Sequence, residues 1–129
     1  MTTPENLRKM NSMLADTLME TLDINFTEIG SDFLTATMPV NSRVHQPMGL
    51  LHGGATVALA ETVASSAAHL FVGDPSKELR GIEITANHLK CKWDGLVTAT
   101  AWPIHKGMTT QLWEVRVTDE DGNLISLCK

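Results

Sequence analysis

The chain has 129 residues and a mass of 14.1 kDa, enough for one domain with its own hydrophobic core. With 43% hydrophobic and 19% charged residues it has a globular composition, not a disordered one. Ten basic against fifteen acidic residues leave a formal charge of −5, which argues against nucleic acid or an anionic membrane as the main partner. Cys91 and Cys128 are too few for a disulfide framework or a zinc site; no metal and no cofactor is expected, and a reducing, cytoplasmic setting is the default.

Met1–Ile24 carries Glu5, Arg8, Lys9, Asp16, Glu20 and Asp23 and has no unbroken apolar stretch, so it does not read as a secretory signal. No run approaches the roughly 18 apolar residues of a membrane span. Residues 4–19 read as a helix, with Thr3 as cap, Pro4 in the first turn, and Leu7, Met10, Leu14 and Leu18 near helical spacing. Residues 20–30 read as a strand ending at Gly30. Phe33–Val40 alternates, with Leu34, Ala36, Met38 and Val40 on one side. Asn41–Gly49 reads as a loop. Ala55–Val72 follows His52-Gly53-Gly54; it is apolar on nearly every face, which predicts a buried helix stopping near Gly73-Asp74-Pro75. Gly81–Leu89, Leu96–Ile104 and Thr109–Thr118 read as strands. An acidic turn at Asp119–Asn123 leads to a last strand from Leu124 to Cys128. Runs of strands around one apolar helix imply a single α+β domain over residues 1–129, with a curved antiparallel sheet wrapped around the helix.

Glu61 is the only charged group between Gly53 and Val72 apart from His69, which reads as a core histidine. On a helix apolar all round, Glu61 should be shut off from bulk water, and a carboxylate held there is either removed or used. The plain alternative is a narrow exposed stripe or a basic partner. Ser65 lies one turn further along the same face; alone it would read as a packing residue with its hydroxyl bonded back to the Glu61 carbonyl. His52-Gly53-Gly54 marks the start of the helix. Two glycines allow close backbone approach, and the unpaired N–H groups with their partial positive charge suit a developing oxyanion. Glu61 follows Gly53 by eight residues. That is about 12 Å along a helix axis, too far for one carbonyl to touch both ends. If both act on one substrate they come from two chains, most simply in a two-fold dimer with two composite sites.

Gln46 could hydrogen-bond a carbonyl or merely be solvated. His88, Lys90 and Lys92 could meet phosphates, or simply discourage edge pairing. His105-Lys106-Gly107 reads as a strand-end turn, and His45 has no clear partner. Trp93, Trp102 and Trp113 read as packing residues. No Gly-x-Ser-x-Gly elbow, no Gly-x-x-x-x-Gly-Lys loop and no His/Cys cluster of metal-ligand spacing is present.

Gln46-Pro47-Met48-Gly49-Leu50-Leu51-His52-Gly53-Gly54, with Leu59-Ala60-Glu61 and Ser65, resembles the hotdog-fold acyl-CoA thioesterases. It looks most like the branch of 4-hydroxybenzoyl-CoA thioesterases that carries a glutamate on the central helix. The pattern is also similar to 1,4-dihydroxy-2-naphthoyl-CoA hydrolases, enterobactin-pathway proofreading thioesterases and phenylacetate-pathway-type thioesterases. Further matches are Ala36-Thr37-Met38-Pro39-Val40, Gly81-Ile82-Glu83-Ile84, Ala86-Asn87-His88 and Gln111-Leu112-Trp113, so the resemblance runs from about Leu22 to Cys128.

The resemblance implies a hotdog fold, dimers that pair into tetramers, and hydrolysis of an acyl- or aroyl-CoA thioester. It makes Glu61 the catalytic carboxylate, as general base or nucleophile. The Gly53 N–H would polarise the carbonyl, Gln46 and His52 would position it, and Ser65 would orient the water. Met48 would line the acyl pocket. His88, Lys90 and the turn Gly107-Met108-Thr109 would lie toward the CoA arm. Met108-Thr109 stands where relatives often carry more polar or basic residues, and the sequence stops at Lys129, where relatives continue for several residues. Two competing readings share the fold: a non-catalytic acyl-CoA-binding protein, and a dehydratase or hydratase whose Pro/Gly-rich histidine motif this chain lacks.

Overall fold

A computed structural model describes residues 3–129. The elements in chain order are α1 (Thr3–Ser12), α2 (Leu18–Thr21), β1 (Asn25–Ile29), β2 (Leu34–Pro39), α3 (Gly53–Phe71), β3 (Ala86–His88), β4 (Leu96–Lys106), β5 (Gln111–Thr118) and β6 (Leu124–Cys128), with a 3-10 turn at Ser42–Val44. The six strands form one antiparallel sheet in the order β1-β2-β4-β5-β6-β3.

Alternation in the strands decides which face meets the helix. Leu34, Ala36 and Met38 of β2, Val97, Ala99 and Ala101 of β4, and Trp113, Val115 and Val117 of β5 are all buried. Their neighbours Thr35 and Thr100 turn the other way and meet hydroxyl to hydroxyl at 3.1 Å. Alanine faces alanine where Ala36 pairs with Ala99, and Ala101 pairs with Leu34. Small side chains there let the sheet close around α3, whose inner stripe is Thr56, Leu59, Ala60, Val63 and Ala67. The spacing of that stripe is the helical one.

Three expectations change. The helix expected over residues 4–19 ends at Ser12; the chain turns through Asp16, in the left-handed region at φ 61°, before the single turn of α2. The cause is tertiary. The Asn11 side chain donates to the Phe26 carbonyl at 2.9 Å and accepts the Phe26 N–H at 2.8 Å, so it pairs with β1 like a strand residue and fixes where α1 must stop. The strand expected over 20–30 is correspondingly β1 alone, after a left-handed turn at Asp23 (φ 59°). The strand expected over 81–89 is confined to β3, because only Ala86–His88 pairs in ladder register with β6. Thr85 and Lys129 add a reciprocal pair of backbone hydrogen bonds beyond it, 2.8 and 3.0 Å.

The helix α3 is also less enclosed than a pattern apolar all round implies. The sheet covers one side only. Glu61 and His69 are exposed, and Ala64, Ser65, Ser66 and Ala68 are half-buried.

Candidate active site

His52 opens α3 as its N-cap. Its Nδ1 accepts the Gly54 N–H at 2.8 Å, and its carbonyl takes the Ala55 and Thr56 N–H groups. Among the described residues this leaves the Gly53 N–H as the donor at the helix end, where the backbone dipoles add positive potential. Because Nδ1 accepts, a neutral His52 ring carries its proton on Nε2 and presents a donor. The Gln46 side chain folds back within its own loop. Its Oε1 accepts the Met48 N–H and, at 3.4 Å, the Leu50 N–H, so its amide nitrogen is the end turned to other partners.

His88 stands against Gly53. A Cβ on Gly53 would lie 2.8 Å from His88 Nε2, so only glycine allows this approach. The other ring nitrogen, Nδ1, is 2.7 Å from the Oγ of Ser126, which is fully buried on β6. Gln46, Gly53, His88, Lys90 and Lys92 line one cavity of about 280 Å³. Lys92 is turned away from it in part, paired with Glu120, and Lys90 reaches Asp119 at 3.9 Å.

Glu61 lies elsewhere. It lines a second cavity of about 230 Å³ together with Ser65 and His69, the segment 77–84, the turn Gly107-Met108-Thr109, Gln111 and Trp113. A Cβ on Gly81 would come within 2.6 Å of Glu61 Oε2, so the 77–84 segment passes close over the carboxylate. Behind it the Trp113 ring stacks on Phe71 at 6.3 Å, with the Lys106 ammonium over both rings at 5.9 and 5.5 Å. Trp113 Nε1 donates to Gln111 Oε1 at 2.8 Å.

Apart from His52, the helix cap, and Met48, which line neither cavity, the residues singled out in the sequence fall into two groups. Gln46, Gly53, His88 and Lys90 share one cavity. Glu61, Ser65, Gly107, Met108 and Thr109 share the other. Met48 lies on the loop surface with 79% of its area exposed and lines neither. Glu61 is not sequestered from water within one chain, contrary to the expectation, because α3 is covered on one side only. His69 is not a core histidine; it is exposed at the rim of the Glu61 cavity, two turns beyond Glu61. The sequence, with Glu61, Ser65 and His69 at i, i+4 and i+8, puts His69 on the Glu61 face, but its apolar surroundings make it read as core; Ser126 carries no such signal. Among the described residues no group of three or more His, Cys, Asp and Glu side chains is placed to hold a metal ion, and no helix is long and apolar enough to cross a membrane.

An antiparallel sheet wrapped around one central helix is the fold of the hotdog thioesterases. The Thioesterase superfamily model matches residues 48–126, and the chain belongs to that family: it is a thioester hydrolase. It is 44% identical to the 1,4-dihydroxy-2-naphthoyl-CoA hydrolase of Escherichia coli, over 92% of this chain and 86% of the relative. It is 45% identical to the proofreading thioesterase EntH of Cronobacter turicensis, over 90% and 84%. A crystal structure of a Haemophilus influenzae thioesterase superposes with a TM-score of 0.91 at 38% identity, covering 95% of this chain and 85% of that one.

Proposed function

We propose that this protein hydrolyses acyl- or aroyl-CoA thioesters at sites shared between two copies of the chain. The observation that carries this reading is the division of Glu61 and Gly53 between two cavities on one helix. A thioester carbonyl held by the Gly53 N–H of one chain would meet Glu61 only from the other. The half-covered outer side of α3 supports the same arrangement, since its small side chains would be buried by a second antiparallel α3. So does β3, which has β6 on one side and an open edge on the other.

In the composite site the Gly53 N–H, with Gln46 and the His52 Nε2–H beside it, binds the thioester carbonyl. Glu61 of the other chain takes a proton from water as the water oxygen bonds to the carbonyl carbon. Negative charge collects on the carbonyl oxygen, where the helix-end donor opposes it. The intermediate then collapses, the C–S bond breaks, and CoA leaves as the thiol once protonated. Direct attack by the Glu61 carboxylate, followed by hydrolysis of the anhydride, uses the same geometry. Ser65, one turn from Glu61 and lining the same cavity, would orient the water. Lys90 and His88 on one side and the 107–109 turn on the other are the candidates for the CoA arm. Trp102 and Ile104 of β4 are large apolar side chains left exposed, on which two dimers would join as a tetramer. The free thiols of Cys91 and Cys128 accord with a cytoplasmic setting.

The test is thiol release from a panel of aryl- and alkyl-CoA thioesters by wild type and Glu61→Ala. The variant should lose at least about 10²-fold in rate while staying folded. Mixing Glu61→Ala with Gln46→Ala chains should restore activity, because each mixed dimer then holds one intact site. Equal activity of Glu61→Ala and wild type would remove the catalytic role, and absence of restoration would remove the shared site. A silent wild type that still binds the thioesters would leave the acyl-binding reading.

A further inference from the structure

We infer that His69 is a specificity-determining residue, which recognises a hydroxyl group at the far end of the acyl moiety. The inference rests on the proposed role of Glu61 at the thioester carbonyl. It starts from the ring's hydrogen bond. His69 Nδ1 is 2.9 Å from the Ser65 backbone carbonyl oxygen. A carbonyl oxygen only accepts, so Nδ1 carries the proton and donates it. In the neutral ring Nε2 is then an acceptor, held by that bond in a cavity that also contains Glu61 and Ser65. An acceptor fixed in this way selects an O–H donor on the substrate, and it distinguishes a hydroxyl from an ether of similar size.

Distance decides which part of the substrate it meets. Glu61 and His69 are eight residues apart on α3, about 12 Å along the axis. Both side chains lean toward the helix N-terminus, so their functional ends stay about as far apart as their Cα atoms. A one-ring aroyl group spans about 6 Å from its carbonyl carbon to a para oxygen. A near-attack separation of about 3 Å at one end and a hydrogen bond of about 3 Å at the other fill the remaining length. The lining suits a flat ring: Ala64 and Ala68 are small, and Trp113 lines the same cavity. Two other polar groups of the cavity already have partners. The Gln111 oxygen is engaged by Trp113, and Arg80 is engaged by Glu78 at 3.3 Å.

The experiment compares benzoyl-, 4-hydroxybenzoyl- and 4-methoxybenzoyl-CoA in wild type, His69→Phe and His69→Gln, reading ratios of kcat/KM. A ratio is unmoved by a uniform loss of folded or active protein. Wild type should favour the hydroxyl substrate over both others by about tenfold, the worth of one good hydrogen bond. His69→Phe should bring that ratio to about one, and His69→Gln, which keeps an acceptor, should retain part of it. A wild type without preference, or a preference unchanged in His69→Phe, overturns the inference while leaving hydrolysis intact. If no thioester is hydrolysed, it is the proposed function that has failed. The same three compounds are then compared by calorimetric binding to wild type and His69→Phe, where an unchanged binding ratio overturns the role of His69 as well.

Discussion

At Gly53 the backbone and an imidazole approach each other as closely as a missing side chain permits. His88 Nε2 occupies the space a Cβ would need, and the buried Ser126 hydroxyl holds the ring from behind. Gly53→Ala should therefore keep the fold and displace His88 from the helix end. A misplacement of that kind costs on the order of 10²-fold in rate; circular dichroism with single-turnover thiol release would show a folded, slow enzyme, and unchanged turnover would mean that the approach of His88 is irrelevant to the chemistry. Residues of this kind differ in how far the sequence reveals them. Glu61 and Gly53 stand out because a lone carboxylate in an apolar run and paired glycines before a helix are visible in one dimension. His69 does not, because its meaning depends on which side of α3 the sheet leaves uncovered. Ser126 is a small polar residue in a strand, and nothing marks it until β3 brings His88 alongside.

Between elements, polar side chains do what backbone pairing leaves undone. Asn11 ties α1 to β1, and the β5–β6 turn is tied to the start of β4. In that turn Glu120 accepts from Lys92 Nζ and, at 3.0 Å, from the Leu96 N–H. Asp119 accepts the Asp121 and Asn123 N–H groups, both at 2.9 Å. The Lys92 hydrogen bond holds the Glu120 carboxyl below its usual range, with help from the Leu96 N–H. A depressed carboxyl stabilises the fold above its unfolded-state value of about 4.3, and that contribution is lost as pH falls through the lower folded value. Glu120→Gln should therefore flatten the decline in urea midpoint below about pH 4.3; parallel acid profiles in the two proteins would rule the contact out as a source of acid sensitivity. The strand readings at Phe33–Val40, Leu96–Ile104, Thr109–Thr118 and Leu124–Cys128 and the central helix are legible because alternation and an apolar run are local signals. The break after Ser12 was not, since Asn11 acts on a strand fifteen residues away. The short extent of β3 was not legible either, since it depends on where β6 runs out.

Across the molecule the core is built almost wholly from aliphatic groups, with one thiol inside it. Cys128 is 1% exposed, and burial pushes its thiol up. A raised thiol contributes stability that is complete below the unfolded value of about 8.5 and is lost as pH rises through the folded one. The chain has no tyrosine, so few other groups titrate nearby. Melting temperature should fall between about pH 8.5 and 10 in wild type and fall less steeply in Cys128→Val; equal slopes would place the alkaline sensitivity elsewhere. The division of Glu61 and Gly53 between two cavities also has a genetic reading. On the proposed sharing of sites between two chains, in a cell that makes intact and defective chains together a chain lacking Glu61 alone would spoil one of the two sites in each mixed pair. A chain lacking both Glu61 and Gln46 would spoil both. Single lesions would then be recessive and complement one another across alleles, whereas the double lesion, carried on one chain, would be dominant.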